Sequence, residues 1–246
     1  METLLAKYGR ITPLRPEEET SFRGLAMTRR ECPTGTLLVA GDFDEPDQLF
    51  VVESGRLFAS SELSNGERAI TRLYFAGDIV GTANIPFEIA TQSITVHRDA
   101  VIYLFPRQRL IDAFRYTPRV AAIFYTFAAL ENAILNDRLV SIGRTRGKAR
   151  LAGLILEIAA RLNLTRPQFE REFVLGLTQS QIGDAIGLTE VQVNRLIRSF
   201  YEERLVRRSG ETIKILDLQR LREMSHFHDR YDDLDLNWFK DDFQAN

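Results

Sequence analysis

The chain has 246 residues, of which 44% are hydrophobic and 27% charged, with 32 Lys and Arg against 34 Asp and Glu. This is globular composition, enough for one large domain or two smaller ones, and its charge balance excludes a uniformly basic nucleic-acid coat. Cys32 is the single cysteine and His97, His226 and His228 are the three histidines. An internal disulfide and a four-cysteine zinc or iron–sulfur site are therefore excluded, and no metal or other cofactor is expected. No apolar run approaches the roughly 18–20 residues of a membrane span, and the first ten residues are too short and polar for a signal peptide; a cytoplasmic protein without membrane contact is expected. The charge is unevenly spread. Between Arg144 and Met224 stand 15 basic and 10 acidic residues, while the segments on either side are net acidic. That division suggests a domain whose partner is a polyanion.

In chain order, Pro16-Glu-Glu-Glu19 followed by Phe22 and Leu25 reads as a helix start. Short runs rich in β-branched and aromatic residues then predict strands at 36–40, 48–53, 56–60, 69–75, 93–96 and 100–105. Turn residues separate them at Gly41-Asp42, Ser54-Gly55, Ser64-Asn65-Gly66 and Ala76-Gly77-Asp78, with Asn65-Gly66 the best hairpin signal. The expected fold of this part is an antiparallel β sandwich, barrel or roll. From Pro118 the period changes. Val120, Ile123, Phe127, Leu130 and Ile134 alternate at 3-4 spacing, which predicts a long helix whose apolar line is either a dimer seam or a face buried on its own β domain. Phe124, Leu135, Leu139 and Ile142 lie off that line. Gly143-Arg-Thr-Arg-Gly147 reads as a hinge, and 148–162 as an amphipathic helix with Leu151, Leu154, Ile155, Ile158 and Leu162 on one face, ahead of a break at Arg166-Pro167.

The most informative run is Leu177–Leu196. Thr178 with Gln181, and Thr189 with Gln192, are two capping boxes, and Gly187 between them suits a left-handed helix end. Ile182, Ala185 and Ile186 give the first short helix an apolar face; Val193, Leu196, Ile197 and Phe200 give one to the second. Two such helices, joined at a glycine, predict a helix-turn-helix. Its second helix would enter the major groove, presenting Glu190, Val191, Gln192, Asn194 and Arg195, flanked by Arg198. Arg195 suits O6 and N7 of a guanine, and Val191 a thymine methyl. Thr178, Gln179, Ser180 and Thr189 sit at helix starts suited to backbone phosphates. Downstream, 205–215 reads as a hairpin whose basic tip, with Arg208, would reach a further phosphate.

These residues resemble the Crp/Fnr superfamily of bacterial transcription regulators. The run from Leu177 to Val206 is similar to that family's winged helix, and Val51–Leu57 and Phe75–Gly81 are similar to its strand–turn signatures. The order of elements resembles the family over nearly the whole chain. The resemblance implies an α+β fold: a cyclic-nucleotide-binding-like β-roll at 1–117, a dimerisation helix at 118–143, a winged helix-turn-helix at 144–225 and an acidic aromatic tail at 226–246. It also implies a cytoplasmic homodimer on a pseudo-palindromic operator in double-stranded DNA, with RNA polymerase as a partner and no enzymatic activity.

The departures from the family pattern bear on mechanism. In members that bind cyclic AMP, a Glu follows the Gly-Asp-x-x-Gly turn and an Arg-Ser pair holds the cyclic phosphate. Here Thr82 follows Gly81, and Gln92-Ser93 stands at the later pair. A neutral Gln92 leaves a buried phosphate uncompensated, so the pocket formed by Gly81, Thr82, Gln92 and Ser93 is expected to be degenerate and the effector different or absent. His97 and Cys32 are candidate haem ligands, though a lone histidine at a strand end is more often structural. In the recognition helix Val191 replaces the family's acid, while Arg195 matches. The alternative to a DNA regulator is a module binding a cyclic nucleotide or haem, with a C-terminal half that docks a protein. His226-Phe-His228 is at most a weak metal motif. The tail combines six Asp with Phe227, Tyr231, Leu234, Leu236, Trp238, Phe239 and Phe243, too aromatic for a purely disordered segment; docking on the DNA domain or on a partner subunit is expected.

Overall fold

The computed structural model describes residues 1–164, 168–234 and 237–239; the Arg166-Pro167 break and the tail residues Leu236 and Phe243 lie outside them. The chain divides into two compact units. One comprises Met1–Ser61, Leu73–Ala133 and the described residues from Arg230 onward; the other comprises Glu62–Arg72 and Ile134–Asp229.

In the first unit two helices, α1 (Glu2–Ile11) and α2 (Pro16–Arg23), precede the strands β1 (Thr28–Cys32), β2 (Leu37–Val39), β3 (Gln48–Glu62), β4 (Arg68–Tyr74), β5 (Ile79–Val80) and β6 (Ser93–Pro106). The sheet runs β1-β6-β3-β4, with β2 also on β6 and β5 also on β3. Side chains that alternate inward along these strands, among them Phe50, Val52, Leu57, Tyr74, Ile94 and Ile102, meet in one core. One expected turn is not a turn. The runs on either side of Ser54-Gly55 form a single strand, as do the separately predicted strands 93–96 and 100–105. Between Val52 and Leu57 the register against β6 shifts repeatedly, which is a bulge. Gly55 sits there at φ +84°, and a Cβ on it would lie 2.2 Å from the Asp99 carbonyl oxygen. Glycine marks a bulge and a turn for the same steric reason, so local sequence does not separate the two.

Helix α3 (Arg107–Tyr116) leads into α4 (Pro118–Arg144), 27 residues long and so about 40 Å. Its expected dimer seam requires correction. Val120, Ile123, Phe127 and Leu130 are buried within the protein's own first unit, and Ile134 is half-buried. The cover comes from the N-terminal helices. Tyr8 of α1 stacks on Phe127 with ring centres 4.2 Å apart, and Arg119 pairs with Glu18 of α2 (2.7 and 3.0 Å) and donates to Thr12 Oγ1. What faces outward is a second line, Tyr125, Ala128, Asn132, Leu135, Leu139 and Ile142, which also repeats at 3-4 spacing. Helix α1 had gone unread, although Leu4, Leu5 and Tyr8 carry its buried face. The tail also docks elsewhere than expected. Its Tyr231 and Phe239 are buried in the first unit, where the Lys7 ammonium lies 5.3 Å from the Tyr231 ring centre and the Arg119 guanidinium 5.5 Å from that of Phe239.

The second unit holds α5 (Gly147–Asn163), β7 (Glu172–Val174), α6 (Gln179–Ile186), α7 (Glu190–Glu202), β8 (Val206–Ser209), β9 (Thr212–Ile215) and α8 (Leu218–Ser225). Its small sheet runs β7-β9-β8. The break between α4 and α5 falls at 145–146, inside the expected hinge. Helix α5 buries Leu151, Leu154, Ile155 and Ile158 as its spacing predicts. The tip of the β3–β4 hairpin belongs to this unit: Arg68 makes a two-pronged pair with Asp184 of α6 (2.6 and 2.9 Å).

Candidate nucleic-acid interface

Local chemistry fixes both short helices at their starts. At α6 the Thr178 hydroxyl accepts from the Gln181 backbone N–H (3.1 Å), and the Gln181 side-chain oxygen accepts from the Thr178 N–H (3.0 Å). At α7 the same exchange links Thr189 and Gln192 at 3.3 and 2.9 Å. Each box satisfies two amide groups that a helix start leaves open, at roughly 1 kcal/mol per cap. Gly187 ends α6 in the left-handed region at φ +67°. Gly183 allows the turn to close on the helix, because a Cβ there would stand 2.3 Å from the Leu188 carbonyl oxygen.

On this frame the predicted contact residues divide into two groups. Asn194 and Gln179 are half-buried and spend their side chains on each other, Asn194 Nδ2 donating to Gln179 Oε1 at 3.0 Å. They hold α7 against α6. Thr178, Ser180, Thr189, Glu190, Val191, Gln192, Arg195 and Arg198 are exposed, Val191 by 61%. With Gln179 and Asn194, four of these (Glu190, Val191, Arg195 and Arg198) line a shallow concavity of about 420 Å³. Neither Arg195 nor Arg198 has a hydrogen bond or ion pair among the described residues, so two guanidinium groups stand open on one helix face. Behind that face Val193 and Phe200 are fully buried, which sets the rotation of α7 and hence the direction of its outer residues.

The hairpin β8–β9 pairs Val206 with Ile215 and Ser209 with Thr212. Its tip exposes Arg207 and Arg208, the latter donating from Nε to the Gly210 carbonyl at 2.6 Å. Sequence reading missed the carboxylate that ties the unit together. Glu203, just past α7, pairs with Lys148 of α5, accepts from Ser199 (2.6 Å) and pairs with Arg220 of α8 (3.1 Å). The Lys148 ammonium first, and the Ser199 hydroxyl next, hold its pKa below the ordinary glutamate value. No local motif signals it, since its partners come from three separate helices.

Profiles of two domain families match this chain: a cyclic nucleotide-binding domain over residues 29–116 and a Crp-like helix-turn-helix domain over 149–224. The chain belongs to the Crp/Fnr family of transcription regulators. The transcriptional regulatory protein btr of Bordetella pertussis is 26% identical over 184 residues, covering 74% of this chain and 76% of its own. The fumarate and nitrate reduction regulatory protein of Vibrio cholerae is 24% identical over 184 residues, 74% of this chain and 72% of its own. In fold, FixK2 from Bradyrhizobium japonicum superposes with a TM-score of 0.72 at 23% identity, over 80% of this chain and 96% of its own. Like its family, this Crp/Fnr protein is a DNA-binding transcription regulator.

The roll turn of this Crp/Fnr member is held by contacts with its own chain. Gly81 takes φ +95° and leads into a single 3-10 turn, Thr82–Asn84. The Asn84 side-chain oxygen accepts from the backbone and hydroxyl of Thr91, both at 3.1 Å. Ser93 Oγ accepts from the Gly41 N–H at 2.9 Å. Asp78 accepts from the Phe75 N–H (2.7 Å) and pairs with Lys7 in a buried contact, so α1 is clamped onto the glycine-aspartate turn. Thr82 and Gln92 are half-buried. The haem candidates are core residues: the His97 ring lies 5.7 Å from that of Phe58, and burial pushes the Cys32 thiol up. Among the described residues no group of three His, Cys, Asp or Glu is placed to hold a metal ion, and no helix is long and apolar enough to cross a membrane.

Proposed function

We propose that the protein acts as a homodimer on a two-fold symmetric operator, with α7 of each copy in the major groove. The observation that carries this reading is the pair of guanidinium groups, Arg195 and Arg198, without a partner among the described residues, on a helix opened by a capping box and held in rotation by buried Val193 and Phe200. Arg195 donates both arms to a guanine; Val191 meets an apolar base edge. Thr178, Ser180 and Thr189 bring the amide ends of α6 and α7 to phosphates, and Arg208 on the hairpin reaches a further one. Asn194 and Gln179 position α7 rather than read bases.

The dimer seam of this reading is the outward line of α4, Tyr125, Ala128, Asn132, Leu135, Leu139 and Ile142, and not the line through Val120 and Phe127. Leu139 alone is 68% exposed, and apolar 3-4 repeats of this kind are covered by a second helix. The regulator works in the cytoplasm, engages RNA polymerase, and answers to an effector other than a cyclic nucleotide, or to none. The neutral Gln92 supplies no charge to compensate a cyclic phosphate. Gel shift and footprinting with the purified full chain test the core of this. A palindromic footprint should emerge from genomic DNA, and Arg195→Ala should weaken it; unchanged operator binding in that variant rejects the assignment.

A further inference from the structure

Both family profiles stop short of residue 225, and the described residues 230–234 and 237–239 lie against α4. Tyr231 and Phe239 are anchored through Lys7 and Arg119, and between these anchors Trp238 is left 53% exposed, lying edge-on to Tyr125 with ring centres 6.0 Å apart. Tyr125, 67% exposed, is itself a member of the outward heptad line of α4. The aromatic ledge is thus continuous with that line, and a groove of about 320 Å³ runs beside it between Ala129 and Ala133 of α4 and Leu234 and Trp238 of the tail.

The heptad line itself is uneven. Its C-terminal half offers Leu135, Leu139 and Ile142, whereas its N-terminal half offers one large side chain, Tyr125, with Ala128 and the polar Asn132. A two-helix seam packed through alanine and asparagine buries little apolar area there. An exposed tryptophan set between the rings of Tyr125 and Phe239 at the edge of that weak half has the bulk that it lacks. We propose that the tail is a dimer clamp: Trp238 of each copy packs across the two-fold axis onto the N-terminal half of the other copy's α4. This rests on the homodimer reading above, with a second copy of this chain as the occupant of the ledge.

Trp238 is the sole tryptophan, so its fluorescence reads the clamp directly. In sedimentation and dilution experiments on the full chain, emission should shift to the blue and acrylamide quenching should fall as dimer forms. Leu135→Asp with Leu139→Asp supplies the monomeric reference. Trp238→Ala should raise the dimer dissociation constant about tenfold, as truncating a buried aromatic anchor does, while Trp238→Phe should restore most of it. A parent chain that is monomeric at every concentration overturns the homodimer reading and the clamp together. A stable dimer whose Trp238 is as quenchable as in the monomeric variant, or whose dissociation constant is unmoved by Trp238→Ala, overturns the clamp alone.

Discussion

The helix-turn-helix and the roll turn treat their polar groups in opposite ways. On α7 the capping box satisfies the backbone while Arg195 and Arg198 have no partner among the described residues and stand on an open face. In the roll, side-chain oxygens are tied to the chain itself: Ser93 Oγ accepts from the Gly41 N–H, Asn84 Oδ1 from Thr91, and Asp78 from the Phe75 N–H and Lys7. A binding site needs donors that are rigidly aimed and still unspent, because a group already hydrogen-bonded must give up that bond before it can gain another. By this measure α7 offers two open cationic donors, and positions 82 and 92 of the roll offer none.

The harshest way to break the comparison is to remove the frame and keep the functional groups. Gly183→Val places a branched side chain where even one Cβ would stand 2.3 Å from the Leu188 carbonyl oxygen. The turn must open, at a cost of about 3 kcal/mol or more, and operator binding should disappear although Arg195 and Arg198 are intact. Hydrogen exchange should show protection lost in α6 and α7 and kept in β3 and β6. A variant that binds the operator like the parent would mean that the frame is not what aims the arginines.

Removing one open group and keeping the frame comes next. Arg195→Ala should cost about 1–3 kcal/mol in operator affinity and relax preference at one base pair per half-site, with an unchanged melting temperature. Arg208→Ala should weaken specific and nonspecific sites alike and reduce the salt dependence of binding, as loss of a phosphate contact does. Operator titrations at several salt concentrations separate the two outcomes.

How much of this was legible in the sequence follows from where the deciding contacts lie. The capping boxes at Thr178 and Thr189 are local, three residues from donor to acceptor, so α6 and α7 could be placed from sequence. The side on which α4 pairs could not. Val120 and Phe127 carry the periodicity of a seam, but whether that line meets a partner or its own chain depends on Tyr8 and Glu18, more than a hundred residues away. Ser54-Gly55 carried turn chemistry, and only its pairing with β6 made it a bulge. For the pocket, sequence revealed the missing charges at Thr82 and Gln92; the internal bond that occupies Ser93 depends on Gly41, fifty-two residues distant.

Within the frame itself the expected effect is smaller. Glu203 has its pKa held below the ordinary value of 4.5, so the stability it contributes is fully present above that value and is lost as the pH falls through the lowered one. Glu203→Gln should therefore melt slightly below the parent at neutral pH, with the gap closing as the pH falls below 4.5. A gap that widens on acidification would remove Glu203 from the set of groups that hold α5, α7 and α8 together.

The smallest expected effect is the sharpest test of the roll turn. A cyclic nucleotide at about 1 mM, bound with a Kd near 10 μM, would stabilise the protein by about 2.7 kcal/mol and raise its melting temperature by several degrees. The parent chain is expected to show no shift with cyclic AMP or cyclic GMP. Thr82→Glu combined with Gln92→Arg then separates charge from turn shape, because it restores a carboxylate and a guanidinium and leaves the Lys7–Asp78 contact alone. A shift regained in that variant assigns the parent's blindness to its missing charges. A variant that stays blind assigns it to the shape of the turn, which Asp78 and Lys7 hold.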